Sequence, residues 1–207
     1  MKEKYNAKLL VEGVDDKHVI YALAEKFHLK ENFDVVDCGS VESVYKQLEL
    51  RLTNPANLSS IGIVVDADQN VSDRFGKFLN ILNSTFCYDV KNIAFTQNGV
   101  LLHPNDKVFP VVGIWVMPNN SSEGMIEDFV MSLTSTEDKQ LLHKADVVLD
   151  ELKKEGLQRF KDVHRSKAKV HTYLAWQAHP GLPLGVSITA KAFDANVEFA
   201  KKFDLYG

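Results

Sequence analysis

The sequence contains few of the residues that mark secreted, membrane or thiol-based proteins. It has two cysteines in 207 residues, Cys38 and Cys87, and they form no CxxC or Cys/His pattern. We therefore expect buried free thiols in a reducing compartment. No stretch approaches the ~18 consecutive apolar residues of a membrane span, and the N-terminus has no signal-peptide core. These absences predict a cytoplasmic protein with no membrane association.

Two enzyme signatures are also missing. No GxxxxGK[ST] sequence occurs, so an ATPase that works with this chain would be a separate protein. The seven histidines show no HExxH or other close metal spacing. The net charge of -4 differs from the basic balance of many nucleic-acid binders. The net charge does not exclude nucleic-acid binding, however, because clustered metal-binding carboxylates would offset the charge of a basic face elsewhere on the protein.

Apolar runs alternate with helical stripes through the first two-thirds of the chain. Strands are predicted at 7–11, 33–36, 61–65, 100–102 and within 108–117. The alternation predicts an α/β fold, with a mainly parallel, Rossmann-like sheet flanked by helices. The length favours one domain over residues 1–207. Its core is expected at 7–133, followed by a helical extension at 137–207.

Acidic residues stand where predicted strands end. Glu12 follows the first strand, and Asp66 and Asp68 follow the third. Glu127 and Asp128 lie in the first turn of a later helix. Since sites in parallel α/β sheets form beyond the carboxyl ends of strands, these side chains are metal-ligand candidates. Mg²⁺, the preferred cation here with Mn²⁺ as a substitute, takes oxygen ligands.

Each candidate also has a structural explanation. Asp16, Glu127 and Asp128 would complement a helix dipole, and that explanation has about even weight with metal binding. Glu12 and Asp66 are harder to explain structurally. A charge next to a buried strand is costly unless it has a function or a partner.

The stretch Leu9–Asp16 (LLVEGVDD), followed by Val64–Asp68 (VVDAD), resembles the Toprim signature. That domain is shared by topoisomerases, bacterial primases, small ribosomal-RNA maturases and the overcoming-lysogenization-defect nucleases. The resemblance implies Mg²⁺-dependent making or breaking of phosphodiester bonds in DNA or RNA. Glu12 would be the family's glutamate, and Asp66 and Asp68 its aspartate pair. The nuclease branch implies further acids, here Asp16 and Glu127, with Asp128 as the second choice.

The stretch 113–129 resembles a group of uncharacterised standalone bacterial Toprim-like proteins. An aspartate often stands in that group where this chain has Asn119, which implies one charge fewer near the site. The segment Ser166–Ala168 also resembles that group. Lys167 is therefore the candidate for a catalytic lysine that would stabilise charge on the scissile phosphate.

A basic segment between Arg159 and His171 offers a nucleic-acid contact. Lys161, Arg165 and Lys169 are spaced for one helical face, which would bind phosphates. A solvated helix face is the simpler interpretation and is slightly preferred.

Three alternatives to a nuclease exist. A haloacid dehalogenase-type phosphatase would carry its Asp-x-Asp after the first strand rather than the third. A sugar-nucleotide transferase would leave the Val-Glu-Gly motif unexplained. The strongest alternative is a non-catalytic Toprim-fold module that binds metal, nucleic acid or a partner protein. The sequence favours a Mg²⁺-dependent nuclease or a related phosphodiester-transfer enzyme over that module.

Overall fold

The computed structural model of the protein describes residues 3–194. One five-stranded sheet runs through the first part of the chain. Its strands are β1 (Ala7–Val11), β2 (Phe33–Asp37), β3 (Ser60–Asp66), β4 (Val100–Leu102) and β5 (Val111–Met117). They lie in the order β2-β1-β3-β5-β4, and all neighbours are parallel except β4, which runs antiparallel to β5. The predicted α/β fold with a mainly parallel sheet is confirmed.

The central strands are apolar because both of their faces are covered. β3 is buried along most of its length, and six of the seven residues of β5 are buried. Such continuous apolar runs are typical of parallel strands in α/β proteins. The short strand β4 occupies one edge, and its antiparallel direction was not predicted.

Seven α-helices accompany the sheet in the described part of the chain. They are α1 (Val14–Lys26), α2 (Val41–Thr53), α3 (Val71–Ser84), α4 (Ile126–Ser132), α5 (Lys139–Lys154), α6 (Arg165–Ala175) and α7 (Leu184–Thr189). The described residues form two compact units. The first comprises residues 3–17 and 30–125, and the second comprises 18–29 and 126–194. The single-domain interpretation stays a prediction.

The core of the first unit lies between the sheet and helices α2 and α3. Alternate residues of the strands, such as Leu10, Ile63 and Ile114, are buried there. Both helices begin at side-chain caps. Ser40 Oγ accepts the Ser43 N–H at 3.2 Å, and Asn70 Oδ1 accepts the Asp73 N–H at 3.1 Å. Ser40 thereby stabilises the start of α2 shortly after β2, and Asn70 stabilises the start of α3 shortly after β3.

The second unit is helical as described. Helix α6 contacts both α4 and α5, and its residues Val170, Tyr173 and Leu174 are fully buried. The Tyr173 hydroxyl donates to the Ala192 carbonyl at 2.8 Å. The predicted helical extension is present as α5, α6 and α7, while residues 195–207 lie outside the described part of the chain.

Among residues 3–194, no helix has both the length and the apolar character that crossing a membrane requires.

Candidate functional site

Parallel pairing of β1 with β3 brings Glu12 to Asp66. The register places Val11 beside Val64, so the next residue of each strand continues toward the same sheet edge. Glu12 Oε1 accepts the backbone N–H of Asp66 at 2.8 Å. Two residues separated by 54 positions in the chain therefore meet where the sequence predicted a site.

The Glu12 carboxylate lies in an environment that disfavours its charge. Burial raises the pKa of Glu12 and outweighs the hydrogen bond from the Asp66 N–H and the attraction of Arg74. Repulsion from Asp68 and Glu42 adds to the increase. Glu12 therefore holds its proton more strongly than an ordinary glutamate, and a cation beside it would favour the ionised form.

Asp16 lies in the first turn of α1 and is buried. Its Oδ2 accepts the backbone N–H of Gly13 at 3.1 Å. This contact holds Asp16 against the chain directly after Glu12. Asp16, the acid four residues after Glu12, therefore lies beside the backbone that directly follows Glu12, and its metal role stays a prediction.

Asp68 is held by both its backbone and its side chain. Its φ of 52° lies in the left-handed region, which aspartate tolerates better than most residues. Its N–H and carbonyl pair with those of Gly124 at 3.0 Å each. The carboxylate forms an ion pair with Arg74 of α3, whose Nε donates to the Asp66 carbonyl at 3.1 Å. The conformation of the Asp-x-Asp segment is therefore fixed by Arg74 and Gly124.

Arg74 is the residue that the sequence interpretation missed. It lies eight positions after Asp66 on α3 and contacts both ends of the Asp-x-Asp motif. The sequence feature that could have indicated its role is an arginine one turn into the helix that follows the Asp-x-Asp motif. A lone arginine on a helix is too common to be selected on that basis alone.

Asn119 organises its own loop. Its Oδ1 accepts the backbone N–H groups of Ser121 and Ser122 at 3.1 and 2.9 Å, and it also accepts both serine hydroxyls. An aspartate here would accept the same bonds through a carboxylate oxygen. The asparagine therefore preserves the turn while removing one negative charge.

The remaining predicted site residues belong to the second unit, where they join α4 to α6. Glu127, which is only 2% exposed, pairs with Lys167 Nζ at 3.2 Å. Asp128 Oδ1 accepts the Ser166 hydroxyl at 2.7 Å. These contacts give all four side chains a structural role within their unit. The metal and catalytic roles predicted for Glu127, Asp128 and Lys167 stay predictions.

The basic segment differs from its prediction. Lys161 precedes a short 3-10 turn (Asp162–His164) and lies outside α6, so the three cations do not share one helical face. Arg165 and Lys169 form ion pairs with Asp146 of α5 at 2.7 and 2.9 Å. These charges are compensated within the unit, which weakens the case for a phosphate-binding face here.

Both cysteines are free in the structure, but they are half-buried and not buried as predicted. Burial raises the pKa of the Cys38 thiol to about 11. A thiol that is protonated at neutral pH is a poor nucleophile and a poor metal ligand.

The chemistry available at the strand ends is that of hard oxygen donors. Among the residues that the structure describes, no three His, Cys, Asp or Glu side chains gather into a group able to hold a metal ion. Mg²⁺ needs no such cage, because it usually keeps several waters and binds through one or two carboxylates and substrate phosphates. The acids around Glu12 and Asp66 fit that mode of binding.

A model of one protein family, DUF3226 (protein of unknown function), matches residues 6–206 of the chain. No curated protein and no solved structure matches the chain.

Proposed function

The chain belongs to the DUF3226 family, and we propose that it is a Toprim-type, Mg²⁺-dependent nuclease or related phosphodiester-transfer enzyme. The substrate class is nucleic acid, DNA or RNA. We further propose that the protein is cytoplasmic and that any ATPase acting with it is a separate chain.

The observation that carries this proposal is the contact between Glu12 Oε1 and the Asp66 N–H at 2.8 Å. It joins the two motifs of the Toprim resemblance at the carboxyl ends of adjacent parallel strands. This is the sheet edge at which open α/β folds bind their ligands. Neither motif alone is specific, and their juxtaposition supports the fold of the proposal more than its activity.

The metal ligands that we propose in the first unit are Glu12 and Asp66, and Asp16 and Asp68 belong to the same two motifs. A bound divalent cation would polarise the phosphate and the attacking water. Glu12 supplies a carboxylate whose charge is poorly compensated, since burial raises its pKa. Asp68 is preset by its backbone pairing with Gly124, so little ordering is needed there.

A non-catalytic Toprim-fold binding module is the second candidate. The Asp68 carboxylate is already neutralised by Arg74, and Asn119 supplies no charge. A site with fewer available carboxylates would still bind a cation or a phosphate without turnover. The two candidates differ in one measurable property, which is cleavage of nucleic acid in the presence of metal.

The first experiment is calorimetric titration of Mg²⁺ and Mn²⁺ into the wild type and into a Glu12→Gln/Asp66→Asn double variant. The matched control is Asp37→Asn. Asp37 is an exposed carboxylate that ends β2 at the same sheet edge, and its amide replacement would still accept the Gly39 N–H. We expect Mn²⁺ binding in the wild type and the control, and its loss in the double variant.

Cleavage of mixed single- and double-stranded DNA and RNA is then measured with the same three proteins. Metal binding with cleavage supports the nuclease. Metal binding without cleavage of any substrate supports the binding module. Equal metal binding by the wild type and the double variant would refute the carboxylate site.

A further inference from the structure

Helix α3 carries two cations that border the same aromatic ring. Arg74 and Lys77 lie three positions apart, which places them on one side of the helix. Lys77 Nζ lies 5.4 Å from the centre of the Tyr45 ring, and the Arg74 guanidinium lies beside the Tyr45 hydroxyl. The ring itself packs against Phe78, with centroids 4.7 Å apart. The Tyr45 side chain, packed against Phe78, is therefore in contact with both positive charges.

The contacts of Arg74 with Asp66 and Asp68 do not use all of its N–H donors. Its Nε donates to the Asp66 carbonyl, and one Nη contacts Asp68. A guanidinium has five N–H donors in a planar fork. The side chain is 15% exposed and also borders the Tyr45 hydroxyl, so an anion that approaches α3 would use the donors that these contacts leave over.

The position of this pair matches the needs of a phosphodiester substrate. Asp68 interacts electrostatically with Arg74, and Glu12 and Glu42 interact with Tyr45, so these acids would repel an anion that approaches this edge. Cations at the border of such a cluster offset that repulsion, and arginine binds phosphate oxygens through two parallel N–H groups.

The basic segment of the second unit is less suited, because Arg165 pairs with both Asp146 and Asp150 and Lys169 pairs with Asp146. On α3, within the described part of the chain, Arg74 pairs with Asp68 alone, and the exposed Lys77 contacts the Tyr45 ring instead of a carboxylate.

We propose that Arg74 and Lys77 of α3 bind the phosphate backbone of the nucleic acid, with Arg74 next to the acidic cluster and Lys77 one turn further along. This inference rests on the proposed function for the role of the neighbouring carboxylates. Phosphate binding itself is independent of the metal. The nucleic acid would therefore run from the sheet edge at Glu12 and Asp66 along the side of the first unit that carries α2 and α3.

The test measures binding of short, fluorescently labelled single-stranded DNA and RNA of mixed sequence in EDTA, over a series of salt concentrations. The variants are Arg74→Gln, Arg74→Lys, Lys77→Gln and the double Arg74→Gln/Lys77→Gln. Lys107→Gln is the matched control, since Lys107 is an exposed lysine of the same unit. Thermal denaturation of each variant reports whether Arg74→Gln disturbs the fold, and the exposed Lys77 gives a variant in which such damage is not expected.

We expect Arg74→Gln to weaken binding on the order of tenfold, and Lys77→Gln to weaken it less. Each should reduce the slope of log K against log salt by about 0.7, the effect of one lost phosphate contact on a single strand. Arg74→Lys should restore part of the affinity, and Lys107→Gln should match the wild type. Equal affinities and slopes in the wild type, Lys77→Gln and the double variant would overturn the proposal.

The two proposals fail separately. Loss of oligonucleotide binding in the α3 variants, together with no metal binding by the wild type, would keep the phosphate site and reject the metal-dependent enzyme. Metal binding that depends on Glu12 and Asp66, with oligonucleotide binding unaffected by the α3 variants, would do the reverse.

Discussion

The two units of the protein use carboxylates in opposite ways. In the second unit, buried and half-buried acids lie against partners that satisfy them, and the pairs are Glu127 with Lys167, Asp128 with Ser166, and Asp146 with Arg165 and Lys169. In the first unit, acids collect at the strand ends and Arg74 contacts their Asp-x-Asp segment. The arrangement in the second unit is typical of structural charges, whereas in the first unit burial disfavours the charge of Glu12.

The electrostatic consequence appears in two residues. Burial raises the pKa of Glu12. Burial would also raise the pKa of Asp146, but the hydrogen bonds from Lys169 and Arg165 outweigh it and lower that pKa. A raised carboxyl pKa costs stability at neutral pH, and a lowered one adds stability. The comparison therefore identifies Glu12 as a carboxylate whose charge costs stability in the folded protein, whereas the charge of Asp146 adds to it.

The strongest test of the structural role in the second unit is Lys167→Met. This change leaves the buried Glu127 carboxylate without its ion-pair partner, which is costly because a buried charge needs compensation. Since Lys167 is itself half exposed, we expect a loss of about 2 kcal/mol in the free energy of unfolding, below the full cost of a buried pair. Urea denaturation at neutral pH measures the change.

The matched controls keep or remove both charges. Lys167→Arg should retain most of the stability, and Glu127→Gln/Lys167→Met should recover much of the loss, because the buried position 127 then carries no charge. A double variant less stable than Lys167→Met would show that the charge of Glu127 contributes independently of the lysine, contrary to the structural interpretation.

In the first unit, Glu12→Gln should change the free energy of unfolding in the opposite direction, toward greater stability. The amide oxygen still accepts the Asp66 N–H, while the poorly compensated charge disappears. We expect a gain of about 1 kcal/mol in the free energy of unfolding at neutral pH without divalent metal, the usual size of a stabilising substitution. The Asp37→Asn control should change little, because Asp37 is exposed.

The dependence of stability on pH tests independently whether the charge of Glu12 destabilises the folded protein. The folded-state pKa of Glu12 is raised above its ordinary value of 4.5, so the wild type loses stability as pH rises from that value through the folded-state pKa. The gain in Glu12→Gln should be small in acid and complete above the folded-state pKa. A variant that is less stable than the wild type at neutral pH would contradict the assignment of an uncompensated charge.

Much of this arrangement was predictable from local sequence patterns. The bounds of β1 and β4 agree with the predicted runs, and the strand ends located Glu12 and Asp66 because side chains after parallel strands share an edge. The antiparallel direction of β4 was not predictable, since a three-residue run carries no information about its partner. Arg74 and the pairing of Lys167 with Glu127 were missed for another reason. Both depend on the direction in which a single side chain reaches, over six to eight positions for Arg74 and across two helices for Lys167, and no periodicity records that direction.

The smallest expected effect is that of Asp146→Asn, and it has the pH dependence opposite to that of Glu12. The hydrogen bonds from Lys169 and Arg165 hold the folded-state pKa of Asp146 below its ordinary value of 3.8. The stabilisation is therefore present above that value and is lost as pH falls through the folded-state pKa. Because the side chain is one-third exposed, solvent screening limits the loss at neutral pH to about 0.5 kcal/mol. Urea denaturation at neutral and acidic pH measures it, with Asp150→Asn as the control, since Asp150 pairs with the same Arg165 from a more exposed position. A stabilising Asp146→Asn substitution would place Asp146 in the same class as Glu12, and the contrast between the two units would no longer hold.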